Sequence, residues 1–283
     1  MNKKAKPIFL NEGLNKSGKK NKLTLQFPTN IDFQNKEVAL GYLGMYYSWR
    51  NVTGVYRSSD NKEGYNNNRF SYTWVNGVTY EVLLPDGFYT ISDLASFMQK
   101  NVMIPNGHFM LDAKGKNVYF IDFVLNSTYY AVTMTCSPIA IPVGGSNPNA
   151  LPLGKVPQLN IPVNNNFGKL IGFNGGSYPA LPNTTTIYYI NSQNVPKIST
   201  ANTIYVQCNL AESDTGIFTN AIYQFSPTVP YNQYISITPA NLIFSDVTSG
   251  SKRNVDIWFT DQNGDPLDVI DPEINVTLLI RDV

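Results

Sequence analysis

One histidine, two cysteines and a few short acidic patterns are the groups in this 283-residue chain that could do chemistry. His108 follows Gly107 in a loop-like stretch, and a Ser-His-Asp or Cys-His relay would have to be built on it alone. Cys136 and Cys208 are too few for a disulfide framework or a zinc ribbon. Each sits in a strand-like context, which predicts a buried free thiol. Asp214-Thr215-Gly216 spells the aspartic-protease triplet, which needs a second aspartate to share a proton. It follows Glu212-Ser213 rather than an apolar strand, so a polar loop is expected. Asp261-x-Asn263-x-Asp265 has the first ligand spacings of a calcium loop, but the sixth and twelfth positions, which should be Gly and Glu, are Pro266 and Pro272. A tight turn explains Asn263-Gly264 without a metal. There is no Walker loop, no G-x-G-x-x-G and no G-x-S-x-G elbow. The sequons Asn51-Val52-Thr53 and Asn275-Val276-Thr277 mean little without a secretory signal. The expectation is a protein that is not an enzyme and carries no cofactor and no metal.

Charge is the next signal. Only 14% of residues are charged, against about 25% in a typical globular domain. The net charge is +1, yet residues 1–22 hold seven lysines (Lys3, Lys4, Lys6, Lys16, Lys19, Lys20 and Lys22) against Glu12. A basic arm therefore precedes a mildly acidic body. With Asn15, Ser17 and Gly18 and few core-forming residues, the arm over 1–22 is expected to be mobile when unbound. It is either a solubilising tail or a contact for polyphosphate or an acidic neighbouring subunit. No apolar run approaches 18 residues, so no transmembrane segment is expected, and no apolar stretch follows the first lysines as a signal peptide requires. The 36 aromatics exclude disorder over the whole length.

The elements that would position these groups are mostly strands. Leu23–Phe27 alternates apolar and polar residues, and residues 38–49 are apolar on both faces, as in a central strand covered twice. Residues 70–74 and 78–84 flank Asn76-Gly77, a strong hairpin signal, and Pro85-Asp86-Gly87 closes it. A single helix is predicted over 90–102. Thr90 and Asp93 stand at its start, and Ile91, Leu94, Ala95, Met98 and Val102 lie on one face. Strands return at 117–125 and 128–136. Residues 138–196 hold nine of the 18 prolines and no acid, and read as a long loop region broken by a short apolar turn at 167–173. Strands follow at 204–210, 221–225, 234–237, 242–246, 255–260 and 274–280. About ten strands and one helix predict an all-β antiparallel sandwich or barrel.

Several landmarks together resemble one family. The C-terminal run comprises Ile237-Thr-Pro-Ala-Asn-Leu-Ile-Phe-Ser-Asp246, Val255-Asp-Ile-Trp-Phe-Thr-Asp-Gln-Asn-Gly-Asp-Pro-Leu-Asp268 and residues 274–281. It resembles the penton (minor capsid) proteins of virophages and Polinton/Maverick-type elements, the Mavirus and Sputnik group. Residues 23–28, 42–49, 70–74, Pro85-Asp-Gly-Phe-Tyr-Thr-Ile-Ser-Asp93, 170–173 and 204–209 follow the same order, so the resemblance spans about 20–283. Residues 54–68 and 138–196 look individual to this chain. The resemblance implies a single jelly-roll domain over 23–283 with an inserted region around 85–200 containing the helix. It also implies a virion protein, assembled inside a host cell, that forms a homopentamer at the fivefold vertices of an icosahedral capsid beside a double-jelly-roll major capsid protein. On that reading the arm lysines contact packaged dsDNA or an adjacent capsid subunit. The competing class is a jelly-roll carbohydrate-binding, receptor-binding module.

For assembly, neutral aromatic surfaces are the expected contacts. The candidates are Tyr46, Tyr47 and Trp49, the loops over 138–196, residues 225–234, and Trp258. Trp258 lies opposite Val255, Ile257 and Phe259 on its strand. It points outward if those three face the core, and it is otherwise buried by a second sheet.

Overall fold

The computed structural model describes residues 4–11, 22–54, 64–182, 184–212, 218–267, 269–271 and 273–283. The chain divides into two compact units, residues 1–50 with 201–283 and residues 51–200. Its strands are β1 (Lys6–Asn11), β2 (Lys22–Asp32), β3 (Lys36–Tyr46), β4 (Arg69–Thr73), β5 (Thr79–Leu83), β6 (Met110–Leu111), β7 (Asn117–Val118), β8 (Ile121–Asn126) and β9 (Ala131–Cys136). There follow β10 (Gln158–Ile161), β11 (Gly176–Tyr178), β12 (Tyr188–Asn191), β13 (Ile204–Cys208), β14 (Ala221–Phe225), β15 (Tyr234–Ile237), β16 (Ser245–Asp246), β17 (Ser251–Thr260) and β18 (Asn275–Asp282). Helix α1 is Ile91–Met98 and α2 is Phe167–Ile171; neither is long and apolar enough to cross a membrane.

The first unit is a jelly roll. One sheet runs β1-β18-β3-β15, with β16 also on β3, and the other runs β14-β13-β17-β2. Apart from β16, the pairing closes on itself: first strand with last, second with second-last, third with third-last, and the middle two together. All four of those pairs are antiparallel. A long hairpin folded over into two sheets has this order, and two Greek keys result. The alternation read from the sequence sets which face is inside. Val255, Ile257 and Phe259 on β17 are buried together with Val276, Leu278 and Ile280 on β18 and Val206 on β13.

β3 is central, as its two-sided apolar pattern predicts, but its two faces are covered differently. Val38, Leu40, Leu43 and Met45 are buried. On the other face Gly44 leaves a gap that the hydroxyl ends of Tyr42 and Tyr234 fill, so closely that a Cβ on Gly44 would lie 2.1 Å from the Tyr234 oxygen. A tyrosine laid across a strand glycine restores the packing that the missing side chain forfeits.

Residues 51–200 carry their own core. Two sheets, β11-β10-β4-β5 and β12-β9-β8, and the short β6–β7 hairpin accompany α1 and α2. Phe70, Leu94, Met98, Phe123, Met134 and Leu159 belong to one buried cluster. The Asn76-Gly77 hairpin forms, with the Trp74 amide donating to the Val78 carbonyl. The capping box forms as well: the Thr90 hydroxyl accepts from the Asp93 amide and the Asp93 carboxylate accepts from the Thr90 amide. Beyond Met98 the helix widens into a π-helical turn over Gln99–Met103, and this shifts the face so that Met103 is buried and Val102 only partly.

Three sequence expectations change here. The arm reading does not hold for Lys6–Asn11, which pairs residue by residue with β18. Leu10, fully buried, supplies the apolar anchor that the lysine-rich composition conceals. The second unit begins at Asn51 rather than near 85, because the β4–β5 hairpin pairs with β10. Residues 138–196 are more than loop, since β10, β11 and β12 complete sheets through β4 and β9.

Candidate interaction surfaces

The groups with chemical potential are committed to structure. His108 is 4% exposed and lies flat on Trp74, with ring centroids 4.0 Å apart and planes at 10°. Its Nδ1 is 2.8 Å from the Tyr72 hydroxyl, and the Tyr80 ring meets it edge-on at 4.7 Å. Burial among rings pushes the imidazole down to about 4, so it is neutral near pH 7. Tyr72 is raised above the usual phenol range by its own burial first and by Tyr80 second. This is an aromatic box that uses His108 as a packing group. Both cysteines are free and buried, and burial pushes each thiol up to about 12. The thiolate that nucleophilic or metal chemistry needs is therefore scarce at neutral pH.

Asp261 is 3% exposed and accepts from the backbone amides of Asn263 and Asp265 at 2.8 and 3.0 Å. The turn thus consumes the carboxylate oxygen that a calcium loop would offer. Among the described residues no group of three or more His, Cys, Asp or Glu is arranged to hold a metal ion. Asp214-Thr215-Gly216 lies outside the described residues.

The aromatic candidates separate. Tyr47 and Trp49 are buried, 6% and 2% exposed, with ring centroids 4.2 Å apart, and Tyr231 stands edge-on to Tyr47. They are interior packing and are not available to a partner. A run that is apolar on both faces gives no sign of which residues face out, which is why the sequence points to them. Tyr46 remains, 38% exposed, edge-on to Tyr234 at 5.2 Å. Trp258 is half-buried, with Lys22 and Gln207 as its register partners.

The register of the first sheet assembles a surface the sequence does not announce. Phe9, Thr277 and Tyr42 align across β1, β18 and β3, and Asn11, Asn275, Gly44 and Ser236 form the adjacent row. Tyr46 and Tyr234 form the next. Over these rows the outward face is aromatic and neutral polar, and Phe9, at 69% exposure, is its most prominent apolar group. In residues 51–200, Val143, Val163, Leu181, Ile187 and Val195 are all largely exposed. Uncharged surface of this kind enters protein contacts with little desolvation cost.

Of the arm lysines, Lys4 and Lys6 are exposed, and Lys22 sits 2.8 Å from the Asp256 carboxylate. The Thr24 hydroxyl donates to the same carboxylate at 2.7 Å. Burial raises the Asp256 carboxyl and is its largest influence, but hydrogen bonds from Lys22, Thr24 and Asn254 outweigh it, and the group ends below the usual range. Lys3, Lys16, Lys19 and Lys20 lie outside the described residues.

Compared with known proteins, the chain matches no family model and no curated protein. Among solved structures it is similar to the mavirus penton protein in a selenomethionine crystal structure, with a TM-score of 0.42 and 10% identity over 98% of this chain and 100% of that one. It is also similar to a chain in the cryo-EM structure of the Sputnik virophage, with a TM-score of 0.40 and 12% identity over 98% and 97% of the two chains.

Proposed function

We propose that this chain is a structural virion protein, a penton or minor capsid protein that forms pentamers at the fivefold vertices of an icosahedral capsid and catalyses no reaction. Jelly rolls build capsids and lectins alike, so the fold by itself does not choose. The observation that carries the reading is where the sequence landmarks fall in the fold. Residues 255–260 lie in β17 and residues 275–281 in β18, joined through the turn at Asp261–Asp265. Residues 23–28 lie in β2, the strand β17 pairs with, and Tyr42–Tyr46 lies in β3, the strand β18 pairs with. The landmarks thus occupy hydrogen-bonded neighbours.

The partners on this reading are further copies of the chain and a double-jelly-roll major capsid protein, met through neutral surface. The lysine-bearing residues outside the strands face the capsid interior and touch packaged dsDNA or an adjacent major capsid subunit. Lys6 belongs to β1 and Lys22 is held by Asp256, so about five neutralised phosphates, from Lys3, Lys4, Lys16, Lys19 and Lys20, would give log affinity against log salt a slope of roughly −4.5. Deleting residues 1–5, which spares β1, should lower that slope. If neither DNA binding nor assembly changes on deleting any lysine-bearing segment outside the strands, the arm is a solubilising tail.

The second reading, a carbohydrate-binding module, draws on Phe9, Tyr46 and Tyr234 exposed on one sheet face. A glycan array with a parallel hydrolysis screen separates the two. The primary test is electron microscopy of the purified chain at increasing concentration, alone and with a major capsid partner. Rings of five support the proposal. A particle of any other symmetry in both conditions contradicts it.

A further inference from the structure

We infer that β1 is exchanged between neighbouring copies, each copy's Lys6–Asn11 completing the β18 edge of the next one in an assembly. The inference rests on the self-assembly reading above. Among the described residues β1 is the edge strand of its sheet and pairs along its length with β18 alone. Leu10 is its single buried apolar side chain, while Lys6, Pro7 and Phe9 are exposed. The strand is therefore held by one ladder, by Leu10 with the half-buried Ile8 beside it, and by a side-chain hydrogen bond from Asn11 to Asn275, and an identical edge on another copy offers the same contacts.

The connection to β2 favours exchange. β1 and β2 touch each other at the margin of the sandwich, and strands so placed are usually joined by about 2–5 residues. Here residues 12–21 intervene, ten in number, and ten residues can reach roughly 35 Å. That span exceeds several-fold the ~10 Å separation of packed sheets. The far end is fixed where Lys22 meets Asp256 at 2.8 Å, so the reach is measured from an anchored point. Exchanging an identical edge element costs no β1–β18 contact and turns that ladder into a tie between copies. In a ring, where each copy meets the next through two different patches, β1 and the β18 edge are two such patches.

Phe9 and Thr277 are register partners on the outward face, which provides the test. Chains carrying only Phe9→Cys are co-assembled with chains carrying only Thr277→Cys and oxidised mildly, the native cysteines being buried. Exchange predicts a covalent dimer of the two variants as the main product on a non-reducing gel. In the double variant it predicts a ladder of linked chains. Assembled particles in which the double variant bridges only within each chain, and the mixture gives no dimer, overturn the exchange and leave the assembly reading standing. A chain that never assembles removes the assembly reading first.

A shortened connection gives an independent readout. Removing residues 14–19 leaves four residues, about 14 Å at full stretch, still more than the ~10 Å between packed sheets but well under half the reach of the whole connection. Assembly yield should fall at least tenfold with the monomer's melting temperature unchanged. An undiminished yield also overturns the exchange.

Discussion

Lowering the pH from 7 to 4 should weaken residues 51–200 by roughly 3 kcal/mol through a single proton, the one His108 takes up on unfolding. The imidazole is pushed from 6.5 down to about 4 by burial against Trp74, Tyr72 and Tyr80. Because the folded value lies below the unfolded one, the unfolded chain binds the proton first. The contribution is complete above about 6.5, is lost progressively as pH falls toward 4, and levels off below. At about 1.36 kcal/mol for each pKa unit, the gap gives the figure of roughly 3, a large fraction of the 5–15 kcal/mol that holds a domain together. The assay is urea unfolding at a series of pH values, followed by amide exchange over 51–200, in the wild type and in His108→Gln and His108→Phe. The variants should be less stable at pH 7, with a flatter slope between pH 6.5 and 4. His108 is the chain's one histidine, so its ring resonances titrate without overlap. A midpoint near 6.5, or variant and wild-type slopes that run parallel, would refute the reasoning.

Other expectations follow from single contacts. Cys136 and Cys208, buried and pushed up to about 12, should resist an aromatic disulfide reagent in the native protein and react fully in denaturant. Gly172 ends α2 at φ +81°, and a Cβ there would lie 2.2 Å from the Asn194 carbonyl oxygen. Gly172→Ala should cost at least about 2 kcal/mol in chemical denaturation, the left-handed penalty plus the displaced backbone. Asp256→Ala takes the carboxylate away from Lys22 and Thr24 and should cost about 2–3 kcal/mol. The Asp256 carboxyl is held below its ordinary range, so the Asp256→Ala difference should persist through pH 4 and fade only as pH falls below that range.

What the chain revealed in advance follows from how local each signal is. β17 and β18 are legible because alternation at Val255, Ile257 and Phe259, and at Val276, Leu278 and Ile280, needs only one face to be inside. The start of α1 is legible because Thr90 and Asp93 bond each other across one turn. β1 is concealed, since Leu10 is its one fully buried side chain and the residues before it are rich in lysine. β10 to β12 are concealed by proline and asparagine between very short strands, whose partners lie far away in sequence. Tyr47 and Trp49 mislead because an apolar strand end looks alike whether neighbours cover it or not. The box around His108 depends on register pairing Tyr72 with Tyr80 across the hairpin, and aromatics at alternate positions beside Asn76-Gly77 are its one trace in the sequence.

Where this chain sits in a particle decides the proposed function. Cryo-electron microscopy of the assembled capsid, with density matched to the β1-β18-β3-β15 and β14-β13-β17-β2 sheets, tests it most directly. Five copies around each fivefold vertex, and none elsewhere, are expected. Copies at threefold or general positions, or a capsid that closes without the chain, would contradict it.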